Sequence, residues 1–168
     1  YGGKDISVLI GGLGLGYTAA EMLGSQEVNQ VQVIELLPQV ISWLEQGLIP
    51  LADSLKNDSR LVVSREDIYE HLWSVPKEQL DLILIDVDHS PEHHLAQKND
   101  SFYQAEGLSR AKEHLTGDGI LGVWSYAESS DFADALKSVF REVRIEPVTF
   151  FNSHINETVT DWLFFARD

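Results

Sequence analysis

The stretch Val8-Leu-Ile-Gly-Gly-Leu-Gly-Leu-Gly-Tyr17 limits what this chain can fold into more than any other feature. A short apolar run fits a strand buried in a parallel sheet. The four glycines within residues 11–16 let the backbone turn tightly as it leaves that strand. Thr18-Ala-Ala-Glu-Met-Leu then opens a helix able to pack back on the sheet. A second apolar strand, Val31-Gln-Val-Ile-Glu35, ends in an acid 19 residues past Gly16. Such a unit is suited to a nucleoside: the glycines allow close backbone approach, and the acid can grip the two ribose hydroxyls.

The glycine spacing separates two classes of cofactor. A dinucleotide fingerprint requires Gly-x-Gly-x-x-Gly, whereas Gly12-Leu-Gly14-Leu-Gly16 reads Gly-x-Gly-x-Gly, the form used for S-adenosylmethionine, which has no diphosphate to cradle. No Gly-Lys-Ser/Thr triplet follows, which disfavours a phosphate-binding loop of the nucleotide-hydrolase type. The expected nucleoside contacts are Gly11, Gly12, Gly14, Gly16 and Glu35, and the alternative is a purely structural turn.

Along the chain, apolar strand patterns alternate with helical ones, which predicts a parallel sheet covered on both faces. Strands are expected at residues 7–10, 30–34, 60–63, 80–86, 120–124, 143–148 and 161–166. Helices are expected at 17–23, 38–46, 68–74, 107–115 and 130–140. No helical pattern separates the last two strands, so they should close the sheet as an antiparallel hairpin. Pro38 suits the first turn of its helix, Gly117-Asp-Gly119 reads as a turn before the fifth strand, and Ser129-Ser130-Asp131 can cap the last helix. The fold class is therefore α/β, a Rossmann-like doubly wound sheet of seven strands, mostly parallel with the last antiparallel. Residues 152–158 read as a polar loop between the last two strands.

Ligands of open α/β sheets collect beyond the carboxyl ends of the strands, so acids there are the candidates for chemistry. Asp67 follows the third strand; it could accept from an exocyclic adenine amine, with Ile68 against the ring, or cap the helix that begins there. The run Leu80-Asp-Leu-Ile-Leu-Ile-Asp-Val-Asp-His-Ser-Pro-Glu-His-His94 drives an apolar strand into Asp86, Asp88 and His89. Crowded ionisable groups shift each other's pKa, so any of the three could deprotonate an amine or orient a cationic substrate. A solvated turn capped at Ser90-Pro91 is the alternative. With His93 or His94 the same cluster contains divalent-metal ligand types, yet the Asp-Asn pair that magnesium-dependent methyltransferases of the catechol type add after the next helix is missing, and no metal is expected. Trp124, Ser125 and Tyr126 end the fifth strand as a pocket wall or as core. His71, His114 and His154 have no partner in sequence and read as surface or partly buried residues.

These pieces resemble the spermidine synthase-like branch of the class I S-adenosylmethionine-dependent methyltransferase fold, over nearly the whole chain. The matching residues are Ile10-Gly11-Gly12, Gly16, Glu35, Asp67 and Asp86, with Phe102-Tyr103 and Gly117-Asp-Gly119-Ile-Leu further on. The resemblance implies that Glu35 binds the ribose, Asp67 the adenine and Asp86 an amine of the substrate or aminopropyl group. It implies S-adenosylmethionine or its decarboxylated form as cofactor, and a small acceptor such as a polyamine. Two positions depart from the family. Gly14 stands where those enzymes carry an acid that helps hold the aminopropyl or methionine part, and His89 where they carry the catalytic Asp. Their small N-terminal β-domain, which helps them dimerise and bind polyamine, is also absent here; a homodimer is one assembly to test. Aminopropyl transfer, methyl transfer and a non-catalytic nucleoside-binding module all follow from these residues.

Composition bounds the rest. At 168 residues and 43% hydrophobic, one domain over 1–168 is expected, and a start at Tyr1 suggests part of a longer chain. Lack of cysteine excludes disulfides, thiol catalysis and thiolate-held metal, and no apolar run is long enough for a bilayer span or secretion signal, so a cytoplasmic location is expected. A net charge of −15 repels nucleic acid and anionic membranes and suits cationic or neutral small substrates, though it can equally serve solubility alone.

Overall fold

The computed structural model describes residues 5–87, 90–91 and 101–168. Seven strands form a single sheet in the order β3-β2-β1-β4-β5-β7-β6. They are β1 (Ile6–Gly11), β2 (Val28–Glu35), β3 (Leu61–Arg65), β4 (Leu80–Ile85), β5 (Leu115–Ser125), β6 (Glu142–Asn152) and β7 (Glu157–Arg167). The ladders from β3 through β5 are parallel, and β7 runs antiparallel to both its neighbours, β5 and β6. The Rossmann-like doubly wound sheet with an antiparallel last strand is thus the observed architecture. Sequence did not anticipate that β7 slots between β5 and β6 instead of lying at the edge. That insertion proves decisive for the site.

The helices among the described residues are α1 (Tyr17–Leu23), α2 (Pro38–Glu45), α3 (Ala52–Asn57), α4 (Ile68–Trp73), α5 (Ala105–Glu113) and α6 (Ser130–Val139). The short helix α3 was not expected: its six residues show little periodicity and, unlike the equally short α4 with its Asp67 cap, it has no capping side chain to announce it. Pro38 opens α2 as expected, and Ser129 caps α6, its Oγ accepting from the Phe132 N–H at 3.1 Å. The Gly117-Asp-Gly119 segment corrects its expectation: it lies within β5, where the register slips from Leu80↔Leu115 to Leu82↔Ile120. The glycines serve a strand irregularity there instead of a separate turn.

Two hydrophobic clusters sandwich the sheet. Val8, Ile10, Val31 and Val33 point to one face and pack with Ala19, Leu23, Val40, Leu44 and Leu55 of α1 to α3. Leu9, Ile83, Ile85, Leu121, Val123 and Phe164 point to the other and pack with residues of α4 to α6, including Ile68, Leu72, Leu108, Phe132 and Leu136. Strands apolar on both faces bury a side chain in each direction, at about 1.5–3 kcal/mol for each large one. No helix among the described residues is long and apolar enough to cross a membrane.

Candidate functional site

The glycine turn and Glu35 form one unit. Gly12 has φ +94° and Gly14 φ +50°, backbone conformations that side chains disfavour. A Cβ on Gly12 would stand 2.5 Å from the Asp86 carbonyl oxygen, whereas one on Gly14 would meet nothing within 4 Å. The turn is therefore pressed against the end of β4 at Gly12 and faces open space at Gly14. Gly11 and Gly16 meet protein instead: a Cβ there would crowd Ile68 and Leu55, respectively. Their role in the structure is close packing of helices on the turn.

Glu35 is only 7% exposed. Its Oε2 accepts from the Leu13 N–H at 2.9 Å and its Oε1 from the Leu37 N–H at 2.8 Å. A buried carboxylate requires such donors, and here they come from the glycine turn on one side and the start of α2 on the other. The acid at the end of β2 is thus locked to the turn, with a further lone pair on each oxygen for a ligand hydroxyl. The same fixed geometry would let a vicinal diol bridge both oxygens, so the residues present fit a ribose.

Asp67 is the N-cap of α4, its Oδ1 accepting from the Tyr69 N–H at 3.0 Å. The capping alternative is realised, and Ile68 beside it is 4% exposed in the core. Asp67 still lies at the end of β3, on the same sheet edge as Glu35.

Asp86 follows β4 and extends its ladder, with its N–H donating to the Gly11 carbonyl at 3.0 Å. It lies two residues past Leu84, which faces α1, so its side chain continues that row. Although the residue keeps exposed surface, protein packed around its carboxyl raises its pKa above the usual 3.8. The Thr18 hydroxyl at the start of α1 works against that rise, and the negative charge of Asp161 adds to it. Asp88, His89, His93 and His94 lie outside the described residues. Among the described residues no group of three or more His, Cys, Asp or Glu side chains could hold a metal ion.

Trp124 is half-buried, and its indole N–H donates to Asp161 Oδ2 at 3.1 Å. Ser125 is fully buried and closes the turn after β5, its Oγ donating to the Ala127 carbonyl at 2.6 Å. Asp161 was missed by sequence reasoning. In Thr158-Val-Thr-Asp-Trp162 it falls on the face of Val159, where alternation would place an apolar residue; only the placement of β7 beside β5 brings it toward Asp86. The histidines divide. His71 pairs with Glu66 at 3.1 Å, while His114 is 2% exposed, more buried than expected, with Nε2 at 3.2 Å from the Leu72 carbonyl and 3.1 Å from that of Ser74.

No family model matches the chain. It is 30% identical over 119 residues to a polyamine aminopropyltransferase of Oceanobacillus iheyensis, covering 70% of this chain and 22% of that protein. It is 28% identical over 127 residues to another of Prochlorococcus marinus, covering 76% of this chain and 43% of that one. The chain thus spans less than half the length of either relative. Spermidine synthase from Thermotoga maritima superposes with a TM-score of 0.74 at 19% identity, over 97% of this chain and 54% of that one. A spermidine synthase in complex with the transition-state analogue AdoDATO gives 0.73 at 18% identity, over 97% and 53%. Human methyltransferase-like protein 13 in complex with SAH gives 0.69 at 17%, over 97% and 72%. Both the sequence matches and the fold fall where the motifs pointed.

Proposed function

From a chain that carries the fold shared by spermidine synthase and methyltransferases, and resembles polyamine aminopropyltransferases in sequence, we propose an alkyl transferase acting from an S-adenosyl donor to a small amine. The observation that carries this reading is the juncture of Gly12 and Asp86. The turn that would hold the donor is pressed against the backbone carbonyl of Asp86, the residue whose carboxylate would serve the acceptor, with only a glycine able to fit there.

Glu35, fixed by the Leu13 and Leu37 N–H groups, would take the ribose hydroxyls. Asp67, at the neighbouring strand end, would take the adenine amine. When bound, the donor supplies a carbon on positively charged sulfur, whose bond to sulfur breaks as a nitrogen lone pair attacks. Asp86 then receives the proton from that nitrogen, and its raised pKa makes it a stronger base than an ordinary carboxylate. Orientation of the two reactants supplies much of the acceleration in such a displacement. Asp88 and His89 lie next to this position in sequence and are proposed to share the acid-base role.

The relatives favour aminopropyl transfer, with decarboxylated S-adenosylmethionine as donor and a polyamine as acceptor. Methyl transfer is the second reading. It is favoured by Gly14, which gives the turn no carboxylate for a free aminopropyl ammonium. Calorimetric titration with S-adenosylmethionine, decarboxylated S-adenosylmethionine and methylthioadenosine decides between them. Preference for the decarboxylated donor is the expected result; preference for the intact donor selects methyl transfer. Binding without turnover of either donor would indicate a nucleoside-binding module, and no binding would overturn the reading.

A further inference from the structure

The register places three side chains on one face at the carboxyl edge of the sheet. Gly122 pairs with both Leu84 and Phe165, and Trp124 pairs with Leu163. Asp86 lies two residues past Leu84 and Asp161 two before Leu163, so with period-two alternation all of them face the α1 side. Asp161 stands one residue beyond the last β5 ladder pair, Ser125↔Trp162, where the hairpin leaves the sheet body and β7 pairs with β6 alone. Its Oδ2 is held by Trp124, and Oδ1 makes no hydrogen bond among the described residues.

The surroundings of this carboxylate are apolar. Val159, paired with Phe150, and Val148, paired with Asp161 itself, share its face, and both Val148 and Phe150 are over 40% exposed. Trp124 and Leu163 form the inner side and belong to neither core cluster. Carboxylates set beside exposed hydrocarbon suit a ligand that combines a positive charge with methylene groups. A hydrated inorganic cation would gain nothing from such walls.

We propose that Asp161 is a specificity-determining residue: together with Asp86 it holds the cationic nitrogen of the acceptor, and so selects amines that carry a hydrocarbon arm. Trp124 fixes the carboxylate through its indole N–H and offers its ring to the arm. This inference rests on the transferase reading and names the acceptor side of the same site.

The test is calorimetric titration of 1,4-diaminobutane into the full chain saturated with methylthioadenosine, with 1-butanol as the uncharged control. The wild-type chain binds the diamine and not the alcohol. Asp161→Asn keeps an oxygen for the Trp124 N–H and removes the charge; it weakens diamine binding about tenfold or more, as expected for loss of a charge-assisted contact. Methylthioadenosine affinity stays within about twofold, because Asp161 lies on β7 and the nucleoside contacts on β1 to β3. Trp124→Phe retains the ring and releases the carboxylate, and it weakens the diamine by a smaller factor. Equal diamine affinity in wild type and Asp161→Asn overturns the inference, as does a wild-type chain that binds methylthioadenosine and no amine. If methylthioadenosine itself fails to bind, the transferase reading falls with it.

Discussion

The two halves of the candidate site are built by different means. The donor half, from the glycine turn to Glu35, is made of backbone: three left-handed glycines and two N–H groups that satisfy a buried carboxylate. The acceptor half, at the ends of β4, β5 and β7, is made of side chains, with Asp86 raised in pKa and Asp161 held by an indole. In the first, the buried Glu35 carboxylate already has backbone donors on both oxygens and is at rest without a ligand. In the second, the negative charge of Asp161 bears on Asp86, and a cation would relieve what the fold leaves unbalanced. The difference teaches where this fold stores stability and where it gives stability up for chemistry.

The largest effect should come from Gly12→Ala, which strikes both halves at their contact. Its φ of +94° and the 2.5 Å approach of the new Cβ to the Asp86 carbonyl leave only a backbone shift as an escape. A loss of about 2–4 kcal/mol in urea unfolding is expected from strain and overpacking, together with loss of measurable nucleoside binding. An unchanged unfolding midpoint would show that turn and β4 are not pressed together, and the two halves would be independent.

Asp86→Asn separates stability from function. The folded-state pKa is above 3.8, so as pH rises the unfolded chain loses this proton first, and the folded state is penalised from about pH 4 upward through the folded value. At neutral pH the ionised carboxylate therefore destabilises the fold. Asparagine removes that penalty, so the variant melts at a higher temperature, while transfer falls about a hundredfold or more for want of the base. A variant that is both less stable and inactive would assign Asp86 a structural role like that of Glu35.

Legibility in the sequence follows the same divide. The donor half could be read because its requirements are local: glycine is nearly obligatory at Gly12, and an acid ending the next strand lies at a fixed chain distance. The strands could be read because residues such as Val8 to Ile10 are apolar in succession, which only burial on both faces explains. Asp161 could not be read, since its value depends on β7 entering between β5 and β6, a choice of topology that no short stretch records. Helix α3 and the length of β5 escaped for a related reason, as six residues carry little period and the strand runs through a glycine-rich irregularity. His114 read as a surface or partly buried residue because the two carbonyls that hold it lie 40 and 42 residues away in the chain.

Gly14→Asp tests whether the donor half can be made more like the acceptor half. The open space above Gly14 admits a side chain, and Asp tolerates a φ near +50° better than most residues. Stability should fall by about 1 kcal/mol or less. By the family resemblance, the new carboxylate stands where a donor's aminopropyl ammonium is held, so the affinity ratio of decarboxylated to intact S-adenosylmethionine should rise about threefold to tenfold. An unchanged ratio would mean that the donor tail lies away from this turn, and the division between the halves would have to move.

His114 offers the smallest effect and a control for both halves, because it lies at the opposite end of the sheet, where its carbonyl accepts from the Leu80 N–H that opens β4. Burial, with a smaller contribution from nearby His71, holds its pKa below the usual 6.5, against the pull of the Ser74 and Leu72 carbonyls and Glu113. As pH falls from 6.5 toward the lowered folded value, the unfolded chain takes up this proton before the folded one does, so stability declines through that window. Urea midpoints of His114→Gln should be lower at pH 7.5, where the paired imidazole is lost, and should fall less steeply than wild type on going to pH 5. Nucleoside and diamine affinities at pH 7.5 should be the same in both. A change in either would show that the α4 end communicates with the carboxyl edge, and that the two halves share a support that their residues alone do not reveal.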